Sequence, residues 1–136
     1  MSTTRKAQPL PAEYLDLFEK RSLGFLATLM PDGSPQVTPL WVAYDGAYVT
    51  VNSAVGRQKD RNIRARPSVA ICIIDPDDPA RYLAVRGPVV EVTEEGAIEH
   101  ARQLTQRYTG RTTYPVRAGV RRVIYKIRPE RVSAHG

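Results

Sequence analysis

The stretch V-T-P-L-W-V-A-Y-D-G-A-Y-V-T-V-N-S, residues 37–53, decides the fold. β-Branched and aromatic residues flank Asp45 and Gly46, and D-G between such runs is a strong short-range hairpin signal. Val37–Tyr44 and Ala47–Ser53 are therefore predicted to be antiparallel neighbours. Pro39 cannot donate to a ladder, so the first of these strands is an edge, or it bulges and leaves backbone groups free. Free N–H and C=O groups beside Leu40 and Trp41 would suit the polar rim of a flat heterocycle, with the apolar side chains against its face. A plain edge-strand proline is the alternative reading of the same residue.

Outward from the hairpin, Leu23–Met30 (L-G-F-L-A-T-L-M) is too short and too apolar for a surface helix and reads as a strand buried on both faces. Ser68–Asp75 reads as another strand, closed by the turn P-D-D-P. Tyr82–Val92 alternates as a strand but carries Gly87 and Pro88 at its middle, which calls for a bulge or sharp bend. Val120–Val132 is the last predicted strand, with Val123, Tyr125 and Ile127 on one face. Pro11 followed by Tyr14, Leu15 and Phe18, and closing on Lys20 and Arg21, predicts a short amphipathic helix. A second helix is predicted to start at Glu94 with Thr93 as its cap, to carry the stripe Ile98, Ala101, Thr105 and Tyr108, and to stop at Gly110. Six strands, mostly in hairpin order and with a bend in the fifth, point to a mainly β fold, a small closed or split barrel whose ends and seams the helices cover. The outer side of the first strand then needs a helix or a second copy of the chain to cover it.

At 136 residues the chain suits one domain over residues 1–136, with residues 1–10 expected to be a flexible tail. No apolar run approaches the roughly 18 residues of a membrane span. Met1–Gln8 lacks a signal-peptide core, so a cytoplasmic location is expected. The single cysteine, Cys72, excludes an intrachain disulfide and a multi-cysteine zinc site, and it sits in an apolar run as a small buried residue would. His100 is placed on the exposed side of the second helix and His135 beside the terminus, so neither is given a catalytic role. No motif assigns a catalytic residue, and the acids of D-P-D-D-P lack calcium-loop spacing.

A net charge of +6 favours anionic partners, and five of the ten residues Arg57–Arg66 are cationic. Gly56 opens a predicted helix that stops before Pro67. Arg57 and Lys59 then fall in its first turn, at the positive end of the helix dipole, where each cation is unfavourable by about 0.3–1 kcal/mol. A bound phosphate or carboxylate removes that conflict, because free N–H groups, dipole and side chains would all face it. Asn52 and Ser53 end a strand just before this turn, so ring and anion contacts can converge. The rival reading is a solvated basic helix with Ile63 and Ala65 on the core; Arg61, Arg64 and Arg66 are given no other role. Nucleic acid is not the expected partner, since residues 57–66 contain no aromatic on which bases could stack.

Together, A-T-L-M-P-D-G-S-P-Q-V-T-P-L-W-V (27–42), Y-D-G (44–46), V-N-S-A-V-G-R-Q-K-D-R-N-I (51–63) and R-Y-L-A-V-R-G (81–87) resemble the split β-barrel family of pyridoxamine-5′-phosphate-oxidase-like proteins. Within it, the chain is similar to the branch that uses the deazaflavin coenzyme F420. The resemblance implies a homodimer of six-stranded antiparallel split β-barrels with flanking helices, with two cofactor sites at the subunit interface. It implies that Arg57 and Lys59 hold the cofactor phosphate and that Gln36, Thr38, Pro39 and Leu40 line the ring. Asn52 and Ser53 would contribute from the end of the third strand, and Arg81 and Tyr82 from the partner subunit. Arg121 and Arg122 are candidates for the acidic tail of the deazaflavin. The implied activity is hydride transfer between reduced F420 and a small unsaturated or quinone-like substrate. The alternatives are an FMN-dependent oxidoreductase on the same fold and a non-catalytic carrier of F420 or flavin.

Overall fold

The computed structural model describes residues 6–136. A 3-10 helix, Ala12–Phe18, precedes β1 (Leu23–Leu29), β2 (Pro35–Leu40), β3 (Val42–Tyr44) and β4 (Val49–Ala54). Helix α1 (Gln58–Ala65) follows, then β5 (Ser68–Asp75), β6 (Asp78–Thr93), α2 (Ala97–Thr109), β7 (Arg122–Ile127) and β8 (Arg131–His135). The strands form one antiparallel sheet in the order β2-β1-β5-β6-β7-β4-β3, with β8 paired to β6. The fold is the expected mainly β split barrel, with eight strands where six were predicted.

Both extra strands come from a break inside a predicted one. The predicted 37–44 strand divides at Trp41. Its first part pairs with β1, Phe25 opposite Pro39, and its second pairs with β4, Tyr44 opposite Val49. β2 and β3 are thus the two free ends of the sheet, joined covalently by one residue but not by a ladder. That is where the barrel stays open. The predicted 120–132 strand divides at Arg128–Glu130, where a buried Pro129 separates β7 from β8.

Strand β6 belongs to both halves. Its first part pairs with β5 and β8 and its last part with β7, and a register shift between Val89 and Glu91 marks the crossover. The bend at Gly87 brings the backbone so close to the β7–β8 corner that a Cβ there would lie 1.8 Å from the Arg128 carbonyl oxygen. Only glycine fits that approach.

The core lies between the sheet halves: Leu26, Ile71, Ile73, Leu83 and Val85 from one, and Val49, Val51, Tyr125 and Ile127 from the other. Strand β1 alternates, burying Gly24, Leu26 and Thr28 and leaving Phe25, Ala27 and Leu29 half-buried. The reading of β1 as buried on both faces is corrected to this. Its outer face forms an apolar surface with Val37, Ala70, Cys72 and Ala84. The expected tail over residues 1–10 is anchored at its end: Leu10 is 6% exposed in the core, and the Gln8 N–H donates to the Pro129 carbonyl at 2.6 Å. Residues 1–5 lie outside the described residues. No helix of the described residues is long and apolar enough to cross a membrane.

Candidate functional site

The basic turn is built by a buried carboxylate. Gly56 takes φ +94°, in the left-handed region, and Arg57 caps α1 in extended conformation, so Lys59 is the second helical residue. Asp60, 2% exposed, accepts three donors: the Gly56 N–H at 2.9 Å, the Tyr125 hydroxyl at 2.7 Å and the Arg64 Nε at 3.0 Å. Burial alone would raise its pKa; these donors outweigh burial and leave it below the usual carboxylate value. Asp60, the one acid among residues 57–66, is therefore the anchor of the turn.

The other cations of the segment also have structural partners. Arg61 donates to the Gly56 carbonyl at 2.7 Å, Arg64 to Asp60, and Arg66 to the Leu29 carbonyl at 2.9 Å. Ile63 is buried as expected, while Ala65 is exposed.

Arg57 and Lys59 instead line a cavity of about 270 Å³ with Pro39, Leu40, Trp41 and Asn52. Its remaining wall comes from Ala101, Leu104 and Thr105 of α2, from Tyr114 and from Arg122. Helix α2 also explains why the strand breaks at Trp41. The Tyr108 hydroxyl accepts the Val42 N–H at 3.2 Å and donates to the Ser22 carbonyl, while Arg107 donates to the Val42 carbonyl. Trp41 stacks on Tyr108 with centroids 5.0 Å apart and faces the cavity instead of the core. A second cavity of about 230 Å³ adjoins the first and shares Arg57, Tyr114 and Arg122 with it.

Arg57, Lys59 and Arg122 form no ion pair with any described residue. Burial, then Arg57 and Arg122, push the Lys59 pKa down; burial and Arg57 do the same to Arg122. Three cations gathered without a counter-ion among the described residues make a site that an anion stabilises.

Of the residues predicted for the site, Pro39, Leu40, Asn52, Arg57 and Lys59 converge on this cavity. Gln36 lies instead in a cluster with Thr28 and Asn62 that ties α1 to β1, its Oε1 3.3 Å from the Thr28 hydroxyl. Thr38 is half-buried on β2 outside the lining. Ser53 points into the core, fully buried and with no hydroxyl partner among the described residues, because successive strand residues face opposite sides and Asn52 takes the cavity side. Arg81 is held by Asp16 and Asp75, each at 2.8 Å, and Tyr82 stacks on His135 at 4.8 Å, both away from the cavity. Arg121 pairs with Glu94 on the surface, so of the two C-terminal candidates only Arg122 lines the site.

Sequence reasoning missed Thr105, Leu104, Tyr114 and, above all, His100. Helix α2 begins at Ala97, three residues beyond the predicted start at Glu94, and Thr93 makes only a local bond to the Glu95 N–H. The buried stripe is Ala97, Ala101, Leu104, Thr105 and Tyr108, and Ile98 is exposed. That rotation brings His100 inward, a correction of its exposed placement. Its Nδ1 is 3.0 Å from Asn52 Nδ2 and its Nε2 is 3.0 Å from Thr50 Oγ1. The spacing 97, 101, 104, 108 was available in the sequence and places position 100 at the stripe's edge.

Comparisons with known proteins follow the same outline. The profile of the family described as pyridoxamine 5′-phosphate oxidase matches residues 10–136. A solved structure named F420 reductase is 42% identical, with a TM-score of 0.81, over 91% of this chain and 98% of that one. A conserved hypothetical protein from Mycobacterium tuberculosis is 25% identical, with a TM-score of 0.74, over 98% of this chain and 89% of its own. HupZ of Group A Streptococcus, 23% identical with a TM-score of 0.68 over 92% of this chain and 93% of its own, shares the fold. None of the curated proteins matches the chain.

Proposed function

Because the chain belongs to the pyridoxamine 5′-phosphate oxidase family, we propose that it is an oxidoreductase that binds the deazaflavin coenzyme F420 in the cavity between β2, α1 and α2. One observation carries the reading: Arg57, Lys59 and Arg122 meet in a cavity with no carboxylate among its lining residues, beside an apolar wall of Pro39, Leu40 and Trp41. A phosphorylated flat heterocycle matches that donor set. The F420 reductase at 42% identity favours the deazaflavin over FMN.

Arg57 and Lys59 would hold the phosphate, at the N-terminus of α1 where backbone N–H groups add to their charge. Pro39, Leu40 and Trp41 would hold the ring by its face, and Asn52 and Arg122 would meet polar groups at its edge or along its tail. The bound coenzyme supplies hydride chemistry; the chain binds it, orients it and leaves one ring face open. A small unsaturated or quinone-like acceptor is the substrate class suited to that hydride. The whole chain would serve as a single cofactor-binding domain. Two copies would meet through the apolar outer face of β1, β5 and β6, bringing the partner's Arg81 and Tyr82 within reach of the site.

The test is titration of the purified protein with F420 and with FMN, repeated with Arg57→Ala and Lys59→Ala. F420 should bind at micromolar concentration, and each variant should weaken it about tenfold, the usual worth of a charge-assisted phosphate contact. Yellow protein that retains FMN would move the reading to the flavin enzyme. Binding unchanged in both variants would remove the phosphate site. Tight F420 binding with no turnover of any acceptor would make the protein a carrier.

A further inference from the structure

We propose that His100 is a positioning residue of the anion site: as a neutral imidazole it locks the Asn52 amide in the orientation that holds Arg122 in the cavity. The ligand is that of the cofactor reading above, whereas the relay itself is a property of the free protein.

Hydrogen-bond valence fixes each member in turn. Arg122 Nε can only donate, so the Asn52 atom 2.8 Å from it is the carbonyl oxygen Oδ1. Nδ2 of Asn52 then directs one N–H to the Ala97 carbonyl at 2.9 Å and the other to His100 Nδ1 at 3.0 Å. That nitrogen must accept, which leaves the imidazole proton on Nε2, where it donates to the Thr50 hydroxyl at 3.0 Å. The tautomer is thus set from the Arg122 end.

An imidazolium is disfavoured in this place. Its Nδ1–H would face the amide N–H groups, and its charge would stand between Arg107 on its own helix and Arg122 from β7. Tyr44 from β3 and Gln103 share the small cavity on the other side of the ring and bring no carboxylate. Burial first, then the two arginines, hold the His100 pKa down to about 4.

Arg122 needs such a hold. Among the described residues its other partner is the Tyr114 ring, whose centroid is 5.8 Å from the guanidinium carbon, and the ends of its fork make no hydrogen bond there. An arginine side chain left to itself samples many rotamers, a freedom that binding would have to remove. The Asn52 anchor removes it in advance, and His100 with Ala97 keeps Asn52 from turning its amide nitrogen toward the cation.

Two experiments test the relay. In ¹⁵N-detected NMR of the ligand-free protein, His100 should be the Nε2–H tautomer at neutral pH and titrate well below the ordinary histidine value. The Nδ1–H tautomer, or an imidazolium at neutral pH, overturns the proposal. In F420 titrations, His100→Phe should weaken binding roughly tenfold, as loss of an ordered charge-assisted contact does. His100→Gln, whose amide oxygen can accept from Asn52, should recover most of it. Adding His100→Phe to Arg122→Ala should cost nothing further, because both changes remove one unit. Additive losses, or a glutamine no better than phenylalanine, overturn the proposal, with thermal melts confirming that each variant is folded. If F420 does not bind the wild type, the cofactor reading fails alone and the NMR result decides the relay.

Discussion

Asp60 shows how one residue can change meaning between sequence and structure. Within R-Q-K-D-R-N-I-R it is the lone acid in a basic helix, and local charge balance suffices to account for it. In the fold it is the most constrained side chain of the turn, buried under Tyr125 and bonded to the Gly56 N–H. Asp60→Asn keeps the shape but replaces an acceptor oxygen by a donor that meets a backbone N–H or a guanidinium. It is expected to lower stability by about 2–4 kcal/mol, and to weaken anion binding by loosening Arg57 and Lys59. Chemical denaturation of the two proteins measures the first effect. The folded-state pKa of Asp60 lies below its unfolded value, so its contribution is present above the ordinary carboxylate range and is lost as pH falls through the folded pKa. The variant should therefore show a flatter stability profile in acid. Arg57 and Lys59 were legible because a cation at the wrong end of a helix is a local conflict. His100 is misplaced by a stripe drawn through Ile98 instead of Ala97 and Leu104, which turns the edge that carries it away from the core.

At the level of elements, the two broken strands share a cause that propensity does not see. Residues 37–44 read as one β run and 120–132 is interrupted only at Pro129, yet each must leave one sheet half and join the other. The backbone groups freed at Val42 are taken by Tyr108 and Arg107, side chains more than sixty residues away in the chain. The D-G hairpin, by contrast, is a local event: Asp45 Oδ1 accepts the Ala47 and Tyr48 N–H groups, and the register follows. The bend in β6 was legible as Gly87-Pro88, and its reason is the carbonyl of Arg128. Gly87→Ala should force β6 away from the β7–β8 corner and lower stability by about 2–4 kcal/mol, read as a fall in melting temperature. If the melting temperature is unchanged, the close approach at the corner is not the determinant of that bend.

At the scale of the molecule, the open seam between β2 and β3 makes the cavity, and the apolar outer face of β1, β5 and β6 is the surface through which the proposed dimer would form. Ala84 lies on that face with Phe25, Val37 and Cys72. Ala84→Arg should convert a dimer into monomers in sedimentation analysis and weaken F420 binding with it, whereas a protein that is monomeric from the start removes the interface. The chain alone carries what depends on neighbours in sequence: the hairpin, the bend, the basic turn, and the mainly β class that follows from counting strands. Assembly of the site belongs to the folded molecule. Arg122 reaches Asn52 across seventy residues, and Tyr125 reaches Asp60 across sixty-five, because strand pairing and helix packing bring them together. Such contacts leave no periodic trace in a sequence, so the chain by itself could place Arg57 and Lys59 at an anion site, and only tertiary geometry brings Arg122 to face it with them.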